Sequence, residues 1–394
     1  MKMIRHATCW LLLAAALTIN LPQFAAAASA VKWQQLMASE DGVSLAVDGS
    51  GTAVVGAPGE DKMNGAAYVF VRSGDKWQQQ ARLVATEAIE YSIFGGAVAI
   101  SGDTILIGAA SENNHGAVYV FVRSGDKWQL QTRLMAEDSK PDDSFGLSVA
   151  ISKDTAVVGA FREDYSKAHL GAAYAGQGAA YVFVRTGTTW KQQAKLMAAD
   201  GLGDSGTFGA DVVADGDTIL VARPALNLAH VFFRAGDKWT EQAKAAGRSA
   251  ALHGDTALIG SRTDNADQAK ALPAAALGSV SVFNRKGGQW TLETLLTAKD
   301  APAAAAFGSL VAVDGSNAAV ATTERKDDAQ PGAVHLFSKA GTWQQQATLP
   351  VAEGMPVIHS LALSGNTVAA VMGKKSNRAK SAAYVATLPA TVAK

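Results

Sequence analysis

The stretch that decides the fold is residues 94–136, FGGAVAISGDTILIGAASENNHGAVYVFVRSGDKWQLQTRLMA. It contains four short apolar runs separated by turn residues. The first three, Ala97 to Ser101, Thr104 to Ala109 and Ala117 to Arg123, are rich in the β-branched and aromatic residues that suit packed strands. Gly102-Asp103 separates the first two runs and is typical of a tight hairpin turn. The stretch therefore predicts a four-stranded antiparallel sheet.

The fourth run, Trp128 to Leu134, alternates polar residues with apolar or small ones. One face is predicted to carry Trp128, Leu130, Thr132 and Leu134, and the other Gln129, Gln131 and Arg133. Such alternation is typical of a half-buried strand. Its polar face suits a sheet edge beside water. We therefore expect this run to be the outermost strand of its sheet.

The four-run unit recurs along the chain, and a tryptophan at the start of the fourth run marks each copy. The tryptophans, which we expect to pack between sheets, are Trp33, Trp77, Trp128, Trp190, Trp239, Trp290 and Trp343. Aromatic faces also bind sugars, but a fixed place in every outer strand favours packing. Turn residues before the second run also occur seven times, so the sequence predicts seven sheets.

A sheet with two apolar faces needs a neighbour on each side. Radial stacking provides both, so we predict an all-β fold, a seven-bladed β-propeller of four-stranded antiparallel blades. A linear β-solenoid is the alternative, but its repeats are usually shorter. The Trp33 strand precedes every complete copy, and the last copy ends without an outer strand. We therefore expect the N-terminal strand to complete the last blade and close the ring. The predicted blades are 41–86, 92–137, 143–199, 206–246, 248–298, 305–350, and 357–388 with 31–38.

Two dipeptide patterns carry a resemblance to a known family. Phe-Gly opens four copies, at Phe94, Phe145, Phe208 and Phe307, and Gly56-Ala57-Pro58 follows the second run of the first copy. Residues 31–394 thus resemble the FG-GAP repeat family, which includes the seven-bladed propeller of integrin α-subunits and many bacterial surface proteins. The fifth and seventh copies depart from the pattern because they lack the opening Phe-Gly.

The resemblance raises the question of calcium, because some FG-GAP blades bind it in an Asp-rich loop between the first and second strands. Here the same connection is only Gly-Asp or Asp-Gly-Ser. Calcium requires 6–8 oxygen ligands, and one carboxylate on a tight turn cannot surround the ion. The histidines show no metal-ligand spacing. We therefore predict no metal and no cofactor.

Residues 1–30 resemble a signal peptide. Lys2 and Arg5 precede an apolar segment from Trp10 to Leu17, and Ala28-Ser29-Ala30 is a cleavage motif. The only cysteine, Cys9, lies in this segment, so residues 31–394 contain no thiol. Basic and acidic residues nearly balance, at 35 each in the whole chain, which disfavours nucleic acid or anionic membrane as a partner. We expect a secreted or periplasmic monomer without membrane insertion.

Sequence length varies only at one end of the predicted blades. The long segments Phe161 to Gly178 and Arg262 to Gly278 both connect a second strand to a third. Insertions confined to one face of a repeat array usually mark its working surface. The candidate partner-binding residues are Arg162, Glu163, Asp164, Tyr165, His169 and Tyr174. A long surface loop that is merely tolerated is the alternative.

These observations favour a non-catalytic binding module that recognises a protein or glycan partner in adhesion. A propeller hydrolase or lyase with a site at the central channel is the alternative, and would need carboxylates or histidines on the inner strands. Those strands read SLAV, AVAI and SVAI. A passive spacer in an envelope assembly is a third possibility. An exposed apolar patch would favour the binding module, and a charged axial pocket would favour the enzyme.

Overall fold

A computed structural model describes residues 31–39, 44–86, 89–161, 177–199, 207–261, 278–299, 306–323, 331–374 and 377–388. In these ranges the chain forms seven sheets of four antiparallel strands. Clusters of buried apolar side chains join each sheet to the next, and one cluster joins the last sheet to the first. The predicted seven-bladed propeller is therefore confirmed. Within the same ranges, no helix is long and apolar enough to cross a bilayer.

The first strand among the described residues is β1 (Gln34–Ser39), and blades one to six then take four strands each in chain order. Blade one contains β2 (Ser44–Asp48), β3 (Thr52–Ala57), β4 (Ala66–Ser73) and β5 (Lys76–Leu83). Blade two contains β6 (Phe94–Ser101), β7 (Thr104–Ala109), β8 (Ala117–Ser124) and β9 (Lys127–Leu134). Blade three contains β10 (Ser148–Ser152), β11 (Thr155–Ala160), β12 (Ala179–Thr186) and β13 (Thr189–Leu196). Blade four contains β14 (Asp211–Asp215), β15 (Thr218–Arg223), β16 (Leu228–Ala235) and β17 (Lys238–Ala246).

Blade five contains β18 (Ser249–His253), β19 (Thr256–Ser261), β20 (Ser279–Lys286) and β21 (Gln289–Leu296). Blade six contains β22 (Ala306–Asp314), β23 (Asn317–Thr323), β24 (Ala333–Ala340) and β25 (Thr342–Pro350). Blade seven contains β26 (Val357–Ser364), β27 (Thr367–Lys374), β28 (Asn377–Thr387) and β1. Short turns with positive-φ residues lie at Glu60–Met63 and Glu112–Asn114, and a 3₁₀ turn lies at Pro224–Leu226. Each sheet falls within its predicted segment, except that β1 extends one residue further.

The second strand of each blade lies inside its sheet, as its continuous apolar sequence predicts. Every residue of β3, β7, β11 and β15 is buried. The outer strands β5, β9 and β13 alternate buried and exposed positions only in part. Sheets in a propeller cover one another on both faces but leave the outer edge in water, which accounts for this gradient.

The ring closes through the first described strand. Gln35 of β1 lies opposite Tyr384 of β28, and the Tyr384 hydroxyl donates to the Gln35 side-chain oxygen at 3.3 Å. Trp33 Nε1 donates to the carbonyl oxygen of Pro350 in blade six at 2.7 Å. The N-terminal segment therefore supplies both an outer strand and a contact to the neighbouring blade. The predicted closure is confirmed.

The predicted alternation of the outer strands is wrong. In blade two, Phe121 lies opposite Leu130 and Val120 lies opposite Thr132, so Gln131 is an extra, bulged residue. A bulge of this kind reverses the faces beyond it. Trp128 accordingly belongs to the core shared with blade one, whereas Leu134 belongs to the core shared with blade three. Blades one to six have the same register shift between the third and fourth strands.

Candidate functional site

The two ends of the propeller differ in how the chain connects the strands. At one end, called the turn face, short turns join the first strand to the second and the third to the fourth. At the other, called the loop face, the second strand connects to the third and each blade to the next. The predicted partner-binding residues Arg162, Glu163, Asp164, Tyr165, His169 and Tyr174 belong to a loop-face connection. They lie outside the described residues.

On the turn face, the carboxylates of the turns bind side chains of the protein itself. The Asp154 carboxylate of the turn in blade three accepts a hydrogen bond from Arg185 Nε at 2.7 Å, and the same arginine donates to Thr104 of blade two at 2.9 Å. The Asp217–Arg234 and Asp255–Arg285 pairs repeat this arrangement. The turn carboxylates thus bind arginines that connect neighbouring blades. The absence of calcium stays a prediction.

Of the seven tryptophans in the described residues, six lie on outer strands and Trp33 directly precedes β1; three of the six donate hydrogen bonds to a glutamine of the preceding blade. Trp128 Nε1 donates to Gln80 at 3.0 Å, and Trp190 Nε1 donates to Gln131 at 2.9 Å. Trp239 donates in the same way to Gln193 of blade three, at 2.8 Å. Sequence reasoning missed these glutamines. The recurring spacing W-x-x-Q could have identified them, because each glutamine is the bulged residue of its strand.

The Phe-Gly and Gly-Ala patterns meet at the interface between blades. A Cβ atom on Gly56 would lie 2.0 Å from the carbonyl oxygen of Gly95 in the next blade. Ser44 of the first strand donates to that same oxygen at 2.8 Å. Phe94 packs edge-on against Tyr119, with ring centroids 5.3 Å apart. Only glycine at position 56 lets the Gly95 carbonyl approach the backbone so closely. The two sequence patterns therefore hold neighbouring blades together.

A buried acid on the loop face receives bonds from two neighbouring side chains. Glu112 is 1% exposed and accepts from the Tyr119 hydroxyl at 2.8 Å and from Arg133 Nε at 2.6 Å. Burial, together with this carboxylate, raises the pKa of Tyr119. Blade three repeats the arrangement, with Tyr181 and Lys195 donating to Asp138. These groups fix the connections of the loop face in place.

Unusual backbone conformations concentrate on the loop face. Among the described residues other than glycine, twelve have positive φ, and all but Lys153 lie on that face. They include Asp61, Lys62 and Met63 in succession, and the β-branched Ile93 at φ 57°. A β-branched side chain rarely adopts this conformation. Strain of this kind often accompanies functional surfaces, where the surrounding fold holds it in place.

The loop face of blades one to three also exposes large apolar side chains. These residues, called the apolar patch, are Met63, Val84, Tyr91, Met135 and Leu147. Tyr91 is 62% exposed and lies in the connection between blades one and two. Met63 is held beside that connection because its carbonyl accepts from the Ile93 amide at 3.0 Å. The described part of the chain exposes only two other large apolar residues, Leu292 and Leu295 on β21.

Comparison with protein families identifies the repeat. A family model described as FG-GAP repeat matches residues 77–121, 128–183 and 290–337. The chain carries FG-GAP repeats. Each match runs from the outer-strand tryptophan of one blade into the next blade. FG-GAP repeats in a seven-bladed propeller are consistent with an integrin α-like FG-GAP propeller.

Solved structures show a similar fold at low sequence identity. A chain from a crystal structure of a mitotic checkpoint complex is similar with a TM-score of 0.53 and 11% identity, over 90% of this chain and 92% of that one. Sqt1 from Chaetomium thermophilum has a TM-score of 0.49 and 11% identity, over 87% of this chain and 83% of that one. No curated protein matches the FG-GAP repeat chain in sequence. The first similarity supports the propeller fold alone.

Proposed function

We propose that this FG-GAP propeller is a secreted or periplasmic binding module that recognises a partner protein through the loop face of blades one to three. The observation that supports the proposal most directly is the apolar patch. Five of the seven large apolar side chains that the described residues expose lie on the loop face, and exposed apolar surface concentrated at one end is typical of interaction sites. Methionine, valine and leucine favour a protein partner over a glycan, because sugars are bound mainly by aromatic stacking and polar groups. A role in adhesion is consistent with a protein partner.

The central channel gives less support to catalysis. At its turn-face end, inner-strand side chains bind the backbone of the next blade: Ser152 Oγ accepts from the Gly216 amide at 3.0 Å, and Asp215 accepts from the Gly254 amide at 2.6 Å. His253 and Asp314 pair across another interface at 3.0 Å. Groups that hold blades together in this way are poorly suited to bind a substrate as well. We therefore favour the binding module over a channel enzyme or a spacer.

The test replaces three patch residues together: Met63→Asn, Tyr91→Asn and Leu147→Asn. Asparagine tolerates the positive φ of positions 63 and 91, so the fold should persist. The matched control is Lys76→Ser, Lys127→Ser and Lys238→Ser, three exposed residues on the turn face. Each protein is immobilised, incubated with envelope extract, and the captured proteins are compared by mass spectrometry.

We expect the parent and the turn-face control to capture the same protein and the patch variant to lose at least about nine-tenths of it, since each buried apolar side chain contributes about 1.5–3 kcal/mol. Capture that survives protease treatment of the extract but fails after glycosidase treatment would indicate a glycan instead. Equal capture by all three proteins would place the binding surface elsewhere.

A further inference from the structure

The interface between blades four and five, called seam 4/5, lacks a glycine contact that holds other blades together. In blades one, two, three and five, a second-strand glycine lies so close to the next blade that a Cβ atom on it would collide with a carbonyl oxygen there. These contacts pair Gly56 with Gly95, Gly108 with Gly146, Gly159 with Gly209, and Gly260 with Gly308. In blade four the matching residue is Ala222, whose Cβ atom excludes so close an approach.

The residue opposite Ala222 differs as well. In blades one, three and five, a serine lies opposite the glycine and donates to the same carbonyl oxygen at 2.8 or 2.9 Å; these are Ser44, Ser148 and Ser249. In blade four, Asp211 lies opposite Ala222. By this register Asp211 faces blade five, as Ser148 faces blade four. A hydroxyl group can donate to a carbonyl oxygen at any pH, whereas a carboxyl group can do so only when it is protonated.

The buried core at seam 4/5 is also the smallest in the ring. Among the described residues it contains five buried apolar side chains, Leu220, Val231, Ala250, Leu252 and Ala257. The clusters at the other six interfaces contain nine to fifteen. The interfaces of blade seven with blades six and one also lack the glycine, but their clusters contain fifteen and nine. Seam 4/5 combines both deficits, so its local opening should cost the least free energy.

The charges around Asp211 leave burial as the main influence on its carboxyl group. Asp211 is half-buried, and burial raises its pKa to about 6. The strands β10 and β11, which pack against β14 from blade three, contain no charged residue. Asp215 of β14 and His253 of β18 lie at the opposite, turn-face end of their strands. Arg223 of β15 is next to Ala222 and therefore faces the other side of the sheet, and Arg248, just before β18, is exposed.

We propose that seam 4/5 is the point at which the ring opens locally, and that ionisation of Asp211 makes this opening more frequent as the pH rises. A protonated carboxyl group can donate to the backbone of blade five in place of the serine. An ionised one is better hydrated in the open seam than in the closed seam. The propeller is therefore tighter in an acidic medium than at neutral pH. This device is separate from the apolar patch and does not depend on the partner proposed above.

Three cysteine variants of the full chain compare the interfaces. Ala257→Cys, Ala156→Cys and Ala318→Cys replace the second residue of β19, β11 and β23, which belong to seam 4/5 and to the interfaces between blades two and three and between blades five and six. Each alanine is at most 1% exposed, and the only native cysteine is Cys9. Methyl methanethiosulfonate labels a buried thiol only when its interface opens. Peptide mass spectrometry measures the labelling rate of each site relative to that of the same variant unfolded in urea at the same pH.

The relative rates test whether seam 4/5 opens by itself. At pH 7.5 we expect Ala257→Cys to be labelled at least about tenfold faster than Ala156→Cys and Ala318→Cys, as the loss of one or more buried apolar side chains implies. Unfolding of the whole protein would expose all three thiols equally. Equal relative rates in the three variants would therefore overturn the proposal.

The pH dependence tests the role of Asp211. Between pH 5 and pH 7.5 the relative rate of Ala257→Cys should rise about three- to tenfold, because the pKa of Asp211 is about 6 in the closed seam and returns toward about 4 in the open one. The relative rate of Ala318→Cys should not change. Adding Asp211→Asn to Ala257→Cys supplies an uncharged donor, so the pH dependence should disappear. A dependence that persists with Asp211→Asn, or that appears equally in Ala318→Cys, would contradict the proposal.

Discussion

The interface between blades two and three and the interface between blades four and five have the same arrangement of strands and tryptophan. The second lacks contacts that the first has. In the first, Trp190 is 9% exposed, donates to Gln131 and lies in a cluster that includes Leu134 and Phe145. In the second, Trp290 is partly exposed and packs against a much smaller cluster. Both tryptophans lie under an arginine, at 5.1 and 5.6 Å from the guanidinium to the ring centroid. The difference therefore lies in burial and hydrogen bonding rather than in the cation–π contact.

This contrast suggests how a repeat fold acquires a specialised surface. A propeller is stabilised by nearest-neighbour interfaces, so one incomplete interface is tolerated when the others are complete. The cost of the incomplete interface falls on one seam and leaves Leu292 and Leu295 exposed there.

The prediction with the largest expected effect compares the two tryptophans. Trp190→Ala should lower the free energy of unfolding by roughly 3–5 kcal/mol, because it leaves a cavity in a filled core. Trp290→Ala should cost about half as much, because its site is less enclosed. Urea denaturation followed by circular dichroism measures both. Equal losses would show that the two interfaces are equally packed.

A second comparison concerns the bulged glutamines. Gln131→Ala leaves the buried indole N–H of Trp190 without its acceptor and should cost about 1–3 kcal/mol. Gln242→Ala, the matched change in blade four, should alter stability by less than about 0.5 kcal/mol because that side chain is exposed. The urea midpoints of the two variants, each compared with that of the parent protein, measure these losses of stability. A large effect of Gln242→Ala would mean that its amide does bind within the seam.

The smallest expected effect concerns Asp211, at the loop-face end of the inner strand of blade four. In blade three the matching residue is Ser148, which donates to the Gly209 carbonyl of the next blade at 2.8 Å. Burial raises the pKa of Asp211 to about 6. The folded protein therefore holds a proton that the unfolded chain releases from about pH 4, so stability falls as the pH rises from 4 to 6.

Asp211→Asn should remove this dependence. We expect the variant to exceed the parent in stability by about 1–2 kcal/mol at pH 7.5, with allowance for the partial exposure of the side chain, and to match it near pH 3.5. Thermal denaturation across this pH range measures the difference. A constant difference at all pH values would rule out titration of Asp211 as its cause.

Much of the fold could be predicted because the signals are local. The tight turns, the apolar second strands and the spacing of the tryptophans each depend on residues close together in the sequence. Even the ring closure followed from sequence order, since Trp33 precedes every copy. The apolar patch could not be predicted in the same way. Met63, Tyr91 and Leu147 occur in separate connections, and nothing in their local sequence indicates that they stay exposed on one surface.

The sequence by itself determined the number of blades, the order of their strands and the strand that closes the ring, because repetition and strand patterning are written into neighbouring residues. Only the tertiary structure decided which side of the outer strand Leu134 faces, since the bulge at Gln131 reverses the pleat. The tertiary structure is also needed to distinguish the complete interface at Trp190 from the incomplete one at Trp290. Both depend on what the adjacent blade supplies, which no single repeat can specify.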